Sequence, residues 1–114
     1  MTAPAISIII PAFNEAASIG NVVQQIRVLH PGAEIIVIDD GSSDHTAEAA
    51  LLAGGKVYAH PYNIGNGAAI KSGLRAAQGE WVVMMDADGQ HGERDDRLQG
   101  QGIRDERVAS VGEA

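Results

Sequence analysis

Two aspartates two residues apart, Asp86 and Asp88, close the run EWVVMMDAD. At that spacing in an extended chain the side chains project the same way, so both carboxylates can face one small volume. Such a pair suits a hard divalent cation, Mg²⁺ or Mn²⁺, which binds through one or two carboxylates and completes its shell with water and a ligand's phosphates. The ligand to expect is a diphosphate. Gly89 permits tight backbone geometry, Gln90 adds an amide oxygen and His91 an imidazole, so DADGQH offers several donors within one turn. A D-x-D alone also fits a strand end or a helix cap. Its neighbours favour a metal, although His91 is equally an exposed loop histidine.

Three further clusters have chemical potential. Asp39 and Asp40 in VIDDGSSD can accept hydrogen bonds from a ribose or from base N–H groups, as acidic residues do in other nucleotide-binding α/β folds. The same segment is equally an ordinary turn and helix start. In PAFNE, Pro11 ends a strand, Phe13 can lie against a base and Glu15 can hydrogen-bond to it. Taken alone, that segment is a strand exit into a capped helix. Gly65, Gly67 and Lys71 lead into a helix, where backbone N–H groups and one cation can meet phosphate or sugar. NIGNGAAIKSG lacks the G-K-[ST] ending of a Walker loop, and no G-x-G-x-x-G follows the first strand.

These clusters need elements to position them. Residues 5–10, 34–38, 56–60 and 80–85 are short apolar or β-branched runs, most ending in Pro, Asp or Gly signals, and read as four strands. The second and fourth are nearly continuous in apolar character, as parallel strands covered on both faces are. Ile19, Val22, Val23, Ile26 and Leu29 follow helical spacing, with Asn14 available as a cap and Pro31-Gly32 as a stop. A second helix is expected over 46–53 with caps among Ser42, Ser43 and Asp44, and a third over 68–77. The order βαβαβαβ implies an α/β fold with right-handed crossovers and a Rossmann-like parallel sheet. Ligands of such sheets bind beyond the carboxyl ends of the strands, where PAFNE, DDGSSD, PYNIGNG and DADGQH all fall.

Composition narrows the functions. The 114 residues allow one domain, expected over 1–91, with a charged, Gly-containing and poorly ordered tail over 92–114. Eight basic against fifteen acidic residues give a net charge of −7, which argues against nucleic acid as a partner. With no cysteine, any metal must bind through carboxylates and histidines. No apolar stretch approaches the roughly 20 residues of a transmembrane span, and the N-terminus lacks a signal-peptide pattern.

Taken together, IIIPAFNE, VIDDGSSDHT, NIGNGAAIKSGL and VVMMDADGQH resemble the family 2 glycosyltransferases with a GT-A fold, most closely the dolichol- or polyprenol-phosphate sugar transferases. The resemblance covers residues 6–91. It implies a nucleotide-sugar-binding half in which Pro11, Ala12, Phe13 and Glu15 border the nucleoside and Asp39 and Asp40 hold base and ribose. Asp86, Ala87 and Asp88 would meet the diphosphate, with Asp86, Asp88 and Gln90 on the metal and Lys71 as a weaker donor contact. The implied reaction is metal-assisted, inverting displacement of a sugar from a UDP- or GDP-sugar onto a polyprenyl phosphate or a saccharide. It further implies a cytoplasmic placement at the cytosolic face of a membrane. Family members continue well past the D-x-D region, so the changed character after His91 suggests truncation, an altered reading frame or degeneration. A non-catalytic nucleotide-sugar-binding remnant is therefore the alternative, and a shortened parallel sheet is expected to self-associate through exposed edge and apolar surface.

Overall fold

The structure, a computed structural model, describes residues 4–87 and Val108–Ser110. The elements are β1 (Ile6–Ala12), α1 (Ile19–Leu29), β2 (Glu34–Asp39), α2 (Thr46–Leu52), β3 (Lys56–Ala59), α3 (Asn66–Ala76), β4 (Trp81–Met84) and β5 (Val108–Ser110). All strand pairings are parallel, in the spatial order β3-β2-β1-β4-β5. The expected βαβαβαβ succession is present, with one strand more. Within 92–114, Val108–Ser110 pair with Val82–Met84, and the remainder of that tail lies outside the described residues. Three residues among charged neighbours are too few to show a period in sequence.

Burial explains the layering. In β1 and β2, Ile8, Ile9, Ile10, Ile35, Ile36 and Ile38 are each at most 2% exposed. Ile8, Ile10, Ile35 and Val37 pack under α1 and α2 against Ile19, Val22, Val23 and Ile26. Ile9, Ile36 and Ile38 face the other way, toward Ala69 and Ile70 of α3. Each fully buried isoleucine contributes about 1.5–3 kcal/mol relative to exposure, so the sheet is the firm base on which the loops stand. Gly73 lets α3 come close, since a Cβ there would lie 2.5 Å from Ile9 Cγ2.

Two local expectations are corrected. Pro11 does not end β1: the strand runs on to Ala12, paired with Asp39 of β2. Main-chain groups alternate along a strand. Ile9 O accepts from Met85 N on the β4 side and Ala12 O from Asp40 N on the β2 side. The missing N–H of Pro11 therefore faces β4, whose pairing with β1 stops at Ile9↔Met84. Proline ends the ladder on one side only, and there β1 and β4 part. Asn14 does not cap α1 either, as Ser18 precedes the helix and makes no side-chain cap bond. Asn14 lies in the left-handed region at φ 53, with its side chain turned toward the next loop.

At the amino end of the sheet the buried Glu34 gathers three elements. Its Oε1 accepts from Ser7 Oγ (2.6 Å) and Gln78 N (2.9 Å), and its Oε2 from Lys56 Nζ (2.7 Å). Ser7 Oγ in turn accepts from Gly79 N at 2.8 Å. Burial opposes ionisation of Glu34, but the bonds from Lys56, Ser7 and Gln78 outweigh it and hold its carboxyl below the usual range. Among the described residues no helix is long and apolar enough to cross a membrane.

Candidate functional site

From β1 the chain moves outward to β2 and β3, then crosses back to β4 on the other side of β1. Neighbouring crossovers leave in opposite directions there, which opens a crevice at the carboxyl ends of β1 and β4. A cleft of about 470 Å³ occupies it, lined by Pro11, Ala12, Phe13 and Glu15 after β1, Asp40 after β2, Asn63, Gly65 and Asn66 after β3, and Asp86 and Ala87 after β4. Every one of the four segments singled out in the sequence contributes.

The loops around the cleft are bonded to each other more than to themselves. Asn14 N donates to Ser42 Oγ (2.8 Å), and Asn14 Oδ1 accepts from Ser43 N (2.8 Å) and Ser43 Oγ (3.2 Å). Glu15 N donates to Thr46 Oγ1 (2.9 Å) and Ala16 N to Asp44 Oδ2 (3.2 Å). Asp44 also accepts from Thr46 N and from Thr46 Oγ1, and this hydroxyl contact is the main reason its carboxyl lies below the ordinary range. GSSD thus acts as turn and helix start, and at the same time as the partner of PAFNE. Ser18 Oγ donates to Ala87 O (2.9 Å) and lies 3.3 Å from Glu15 Oε1, which ties the turn after β4 to the start of α1.

Asp39 and Asp40 are adjacent and both buried, yet they serve different sides of the sheet. Successive residues of an extended segment point to opposite faces. Asp39 Oδ1 accepts from Ser42 N at 3.0 Å, and Asp39 is not among the cleft-lining residues. Asp40 turns to the β3–α3 segment, where Oδ1 accepts from Ile64 N (3.0 Å) and meets His60 Nδ1 (2.7 Å), while Oδ2 accepts from Gly65 N (2.8 Å) and Asn63 Nδ2 (3.0 Å). Burial opposes its ionisation, but the bonds from His60, Ile64 and Gly65 prevail and lower its pKa. The far nitrogen of the ring, His60 Nε2, lies 2.8 Å from Ser72 Oγ of α3.

Of the residues expected at the site, Pro11, Ala12, Phe13, Glu15, Asp40, Asp86 and Ala87 meet at the cleft. Phe13 is 45% exposed, so its ring is available to a ligand. Lys71 is exposed on the second turn of α3 and does not line the cleft. Asp88, Gln90 and His91 lie outside the described residues. Among the described residues no group of three or more His, Asp or Glu side chains could hold a metal ion. Sequence reasoning missed Asn63, Asn66, Ser18 and His60. The two asparagines of the glycine-containing NIGNG were the visible signal, whereas Ser18 and His60 act only through tertiary contacts.

The sequence matches the family model Glycosyl transferase family 2 over residues 7–112, a match that extends beyond His91. It is similar to glucosyl-3-phosphoglycerate synthase of Mycolicibacterium paratuberculosis, at 37% identity over 92 residues, covering 73% of this chain and 28% of that protein. It is similar also to dolichyl-phosphate beta-glucosyltransferase of Trichomonas vaginalis, at 35% identity over 98 residues, covering 74% and 30%. Among solved structures, glucosyl-3-phosphoglycerate synthase from Mycobacterium tuberculosis in complex with Mn²⁺, uridine diphosphate and glucosyl-3-phosphoglycerate gives a TM-score of 0.66 at 35% identity, covering 74% of this chain and 33% of that one. The chain spans 28% to 38% of the length of these and other curated relatives.

Proposed function

The chain belongs to glycosyl transferase family 2, and we propose on that premise that its cleft binds the nucleoside diphosphate of a sugar donor for transfer of the sugar to an acceptor. The observation that supports this most is the meeting of Pro11, Ala12, Phe13, Glu15, Asp86 and Ala87 in one cleft at the sheet's switch point. In this reading Pro11, Ala12 and Phe13 border the nucleoside, with the Phe13 ring against the base and Glu15 within its reach. Asp39, outside the cleft lining and bonded through one oxygen to Ser42 N, would meet base or ribose only at the edge of the cleft. Asp40, with two bonds on each oxygen, acts through the loop that it holds. Lys71 is a peripheral contact for phosphate or sugar.

Asp86 places a hard oxygen donor in the cleft directly after β4. With Asp88 and Gln90 it suits Mg²⁺ or Mn²⁺, cations that take part of their shell from a ligand's phosphates. Such an ion offsets charge developing on the departing diphosphate. In the transfer the anomeric carbon–oxygen bond to the diphosphate breaks, its electron pair leaving with the diphosphate. An acceptor oxygen bonds from the opposite face, inverting the centre.

The uridine diphosphate held by the M. tuberculosis enzyme favours UDP-sugars over GDP-sugars. The two named relatives differ in acceptor, yet both names specify a phosphate-bearing one. A polyprenyl phosphate is the acceptor we favour, ahead of phosphoglycerate or a plain saccharide, with action at the cytosolic face of a membrane. An anionic phosphate oxygen needs no general base, whereas a sugar hydroxyl would need a carboxylate. Donor binding without turnover is the second reading, since the residues that meet at the cleft account for the donor alone.

Calorimetric titration with UDP- and GDP-sugars, with and without Mn²⁺, tests the proposal. Metal-dependent binding of a UDP-sugar that Asp86→Ala weakens at least about tenfold, the size of one lost charge-assisted bond, is expected. No binding by folded chain would overturn the reading. Release of free uridine diphosphate on adding a polyprenyl phosphate separates the enzyme from the donor-binding module.

A further inference from the structure

The cleft wall formed by the β3–α3 segment is held from behind. Asn63, Gly65 and Asn66 line the cleft, whereas His60 and Ser72 do not. The His60 ring stands at the root of this segment with one nitrogen on Asp40 and the other on Ser72, at 2.7 and 2.8 Å. With Nδ1 on the Asp40 carboxylate, Nε2 on the far side of the ring is left to face the Ser72 hydroxyl. The ring thereby joins the end of β2, the end of β3 and the body of α3, and closes the chain between residues 60 and 72 into a loop. Asp40, oriented by the ring, presents its oxygens to the N–H groups of Ile64 and Gly65 and to the Asn63 amide.

A second observation supports the same clasp. Gly41 has φ +76, and a Cβ built there would lie 2.2 Å from Tyr62 C and 2.3 Å from Asn63 N. The segment is thus pressed against the backbone beside Asp40, at a distance only glycine permits.

We infer that His60 and Ser72 are positioning residues for donor binding, holding the Asn63–Gly65 wall at the height the nucleoside diphosphate requires while touching no part of it. The order Ser72–His60–Asp40 is that of a nucleophilic triad, but Ser72 lies within α3, its own N–H committed to the helix, so it lacks an adjacent oxyanion site. A clasp is the chemistry these contacts perform. The inference rests on the donor-binding reading given above.

The experiment compares UDP-sugar affinity and thermal stability in the full chain, in Ser72→Ala, Ser72→Thr and His60→Phe, and in Glu34→Gln at the far end of the sheet. Ser72→Ala is expected to weaken donor binding about fivefold to tenfold, the worth of one buried hydrogen bond. Ser72→Thr, which keeps the hydroxyl, should restore it, and His60→Phe should weaken it more. The amide resonances of Ile64 and Gly65 should shift in Ser72→Ala. Glu34→Gln should lower stability and leave affinity unchanged. Equal affinity in Ser72→Ala and the parent chain would overturn the inference, as would no rescue by threonine. An affinity loss in Glu34→Gln matching that of Ser72→Ala would reduce the clasp to general stability and overturn it too. If the parent chain binds no donor, the functional reading itself fails, and the inference with it.

Discussion

Glu34 and Asp40 stand at opposite ends of β2, both buried, both ionised below the usual carboxylate range and both accepting bonds from several elements. Their partners differ. Glu34 takes its bonds from Ser7 on β1, Lys56 on β3 and the N–H of Gln78 ahead of β4, so it fixes framework to framework. Asp40 takes its bonds from loop N–H groups, an amide and an imidazole, so it fixes a loop to the framework. The lesson is that similar carboxylate physics produces stability when its partners are regular elements, and a shaped cleft wall when they are not.

Asp40→Ala strikes this comparison hardest. It strands two loop N–H groups and the ring of His60, and bonds to a charged acceptor are worth about 1.5–3 kcal/mol each. Loss of UDP-sugar affinity by about a hundredfold, together with a lower melting temperature, is expected by calorimetry. If affinity holds, the wall does not depend on its hub.

Glu34→Ala should cost about 2–3 kcal/mol in denaturant unfolding, because it leaves the Ser7 hydroxyl and the Gln78 N–H without an acceptor, while partly exposed Lys56 turns to water. Donor affinity should stay within about twofold, since each missing kilocalorie falls on the folded framework rather than on the wall. A large affinity loss would erase the distinction between the two ends.

Acid should affect both ends together, and more mildly. Each carboxylate has a folded pKa below its unfolded value, about 3.9 for Asp and 4.3 for Glu. Their stabilisation is therefore fully present above those unfolded values and is lost as pH falls through the folded ones. The contribution of these two groups to the unfolding free energy should be constant down to about pH 5 and fall below about pH 4. An Asp40→Asn, Glu34→Gln double variant should show a shallower fall, and an unchanged acid slope in that variant would assign the sensitivity to other groups.

The sheet was legible in sequence because its signals are local and redundant. EIIVID and EWVVMM are apolar without alternation, and glycine, proline and aspartate punctuate the runs. The four site segments were legible for the same reason, since the fold requires them to follow strands. Pro11 misled because the rule against proline in a ladder concerns one edge, and sequence does not show which edge a residue faces. Asn14 misled because a partner 29 residues away, Ser43, outcompetes a local cap. Asp39 and Asp40 look interchangeable in DDGSSD, and only the alternation of faces separates them. His60 and Ser72 stand twelve residues apart across a loop and a helix start, a relation with no periodicity to reveal it.

The splitting of the wall into a concealed support and an outward lining bears on how such a protein can change. Asp40, His60 and Ser72 bear the mechanical burden, so Tyr62 and Ile64, which are 66% and 50% exposed, and cleft-lining Asn66 can be exchanged without unseating the loop. A lineage, or an engineer, can thus edit the outward side chains of this segment while the clasp behind them is inherited intact.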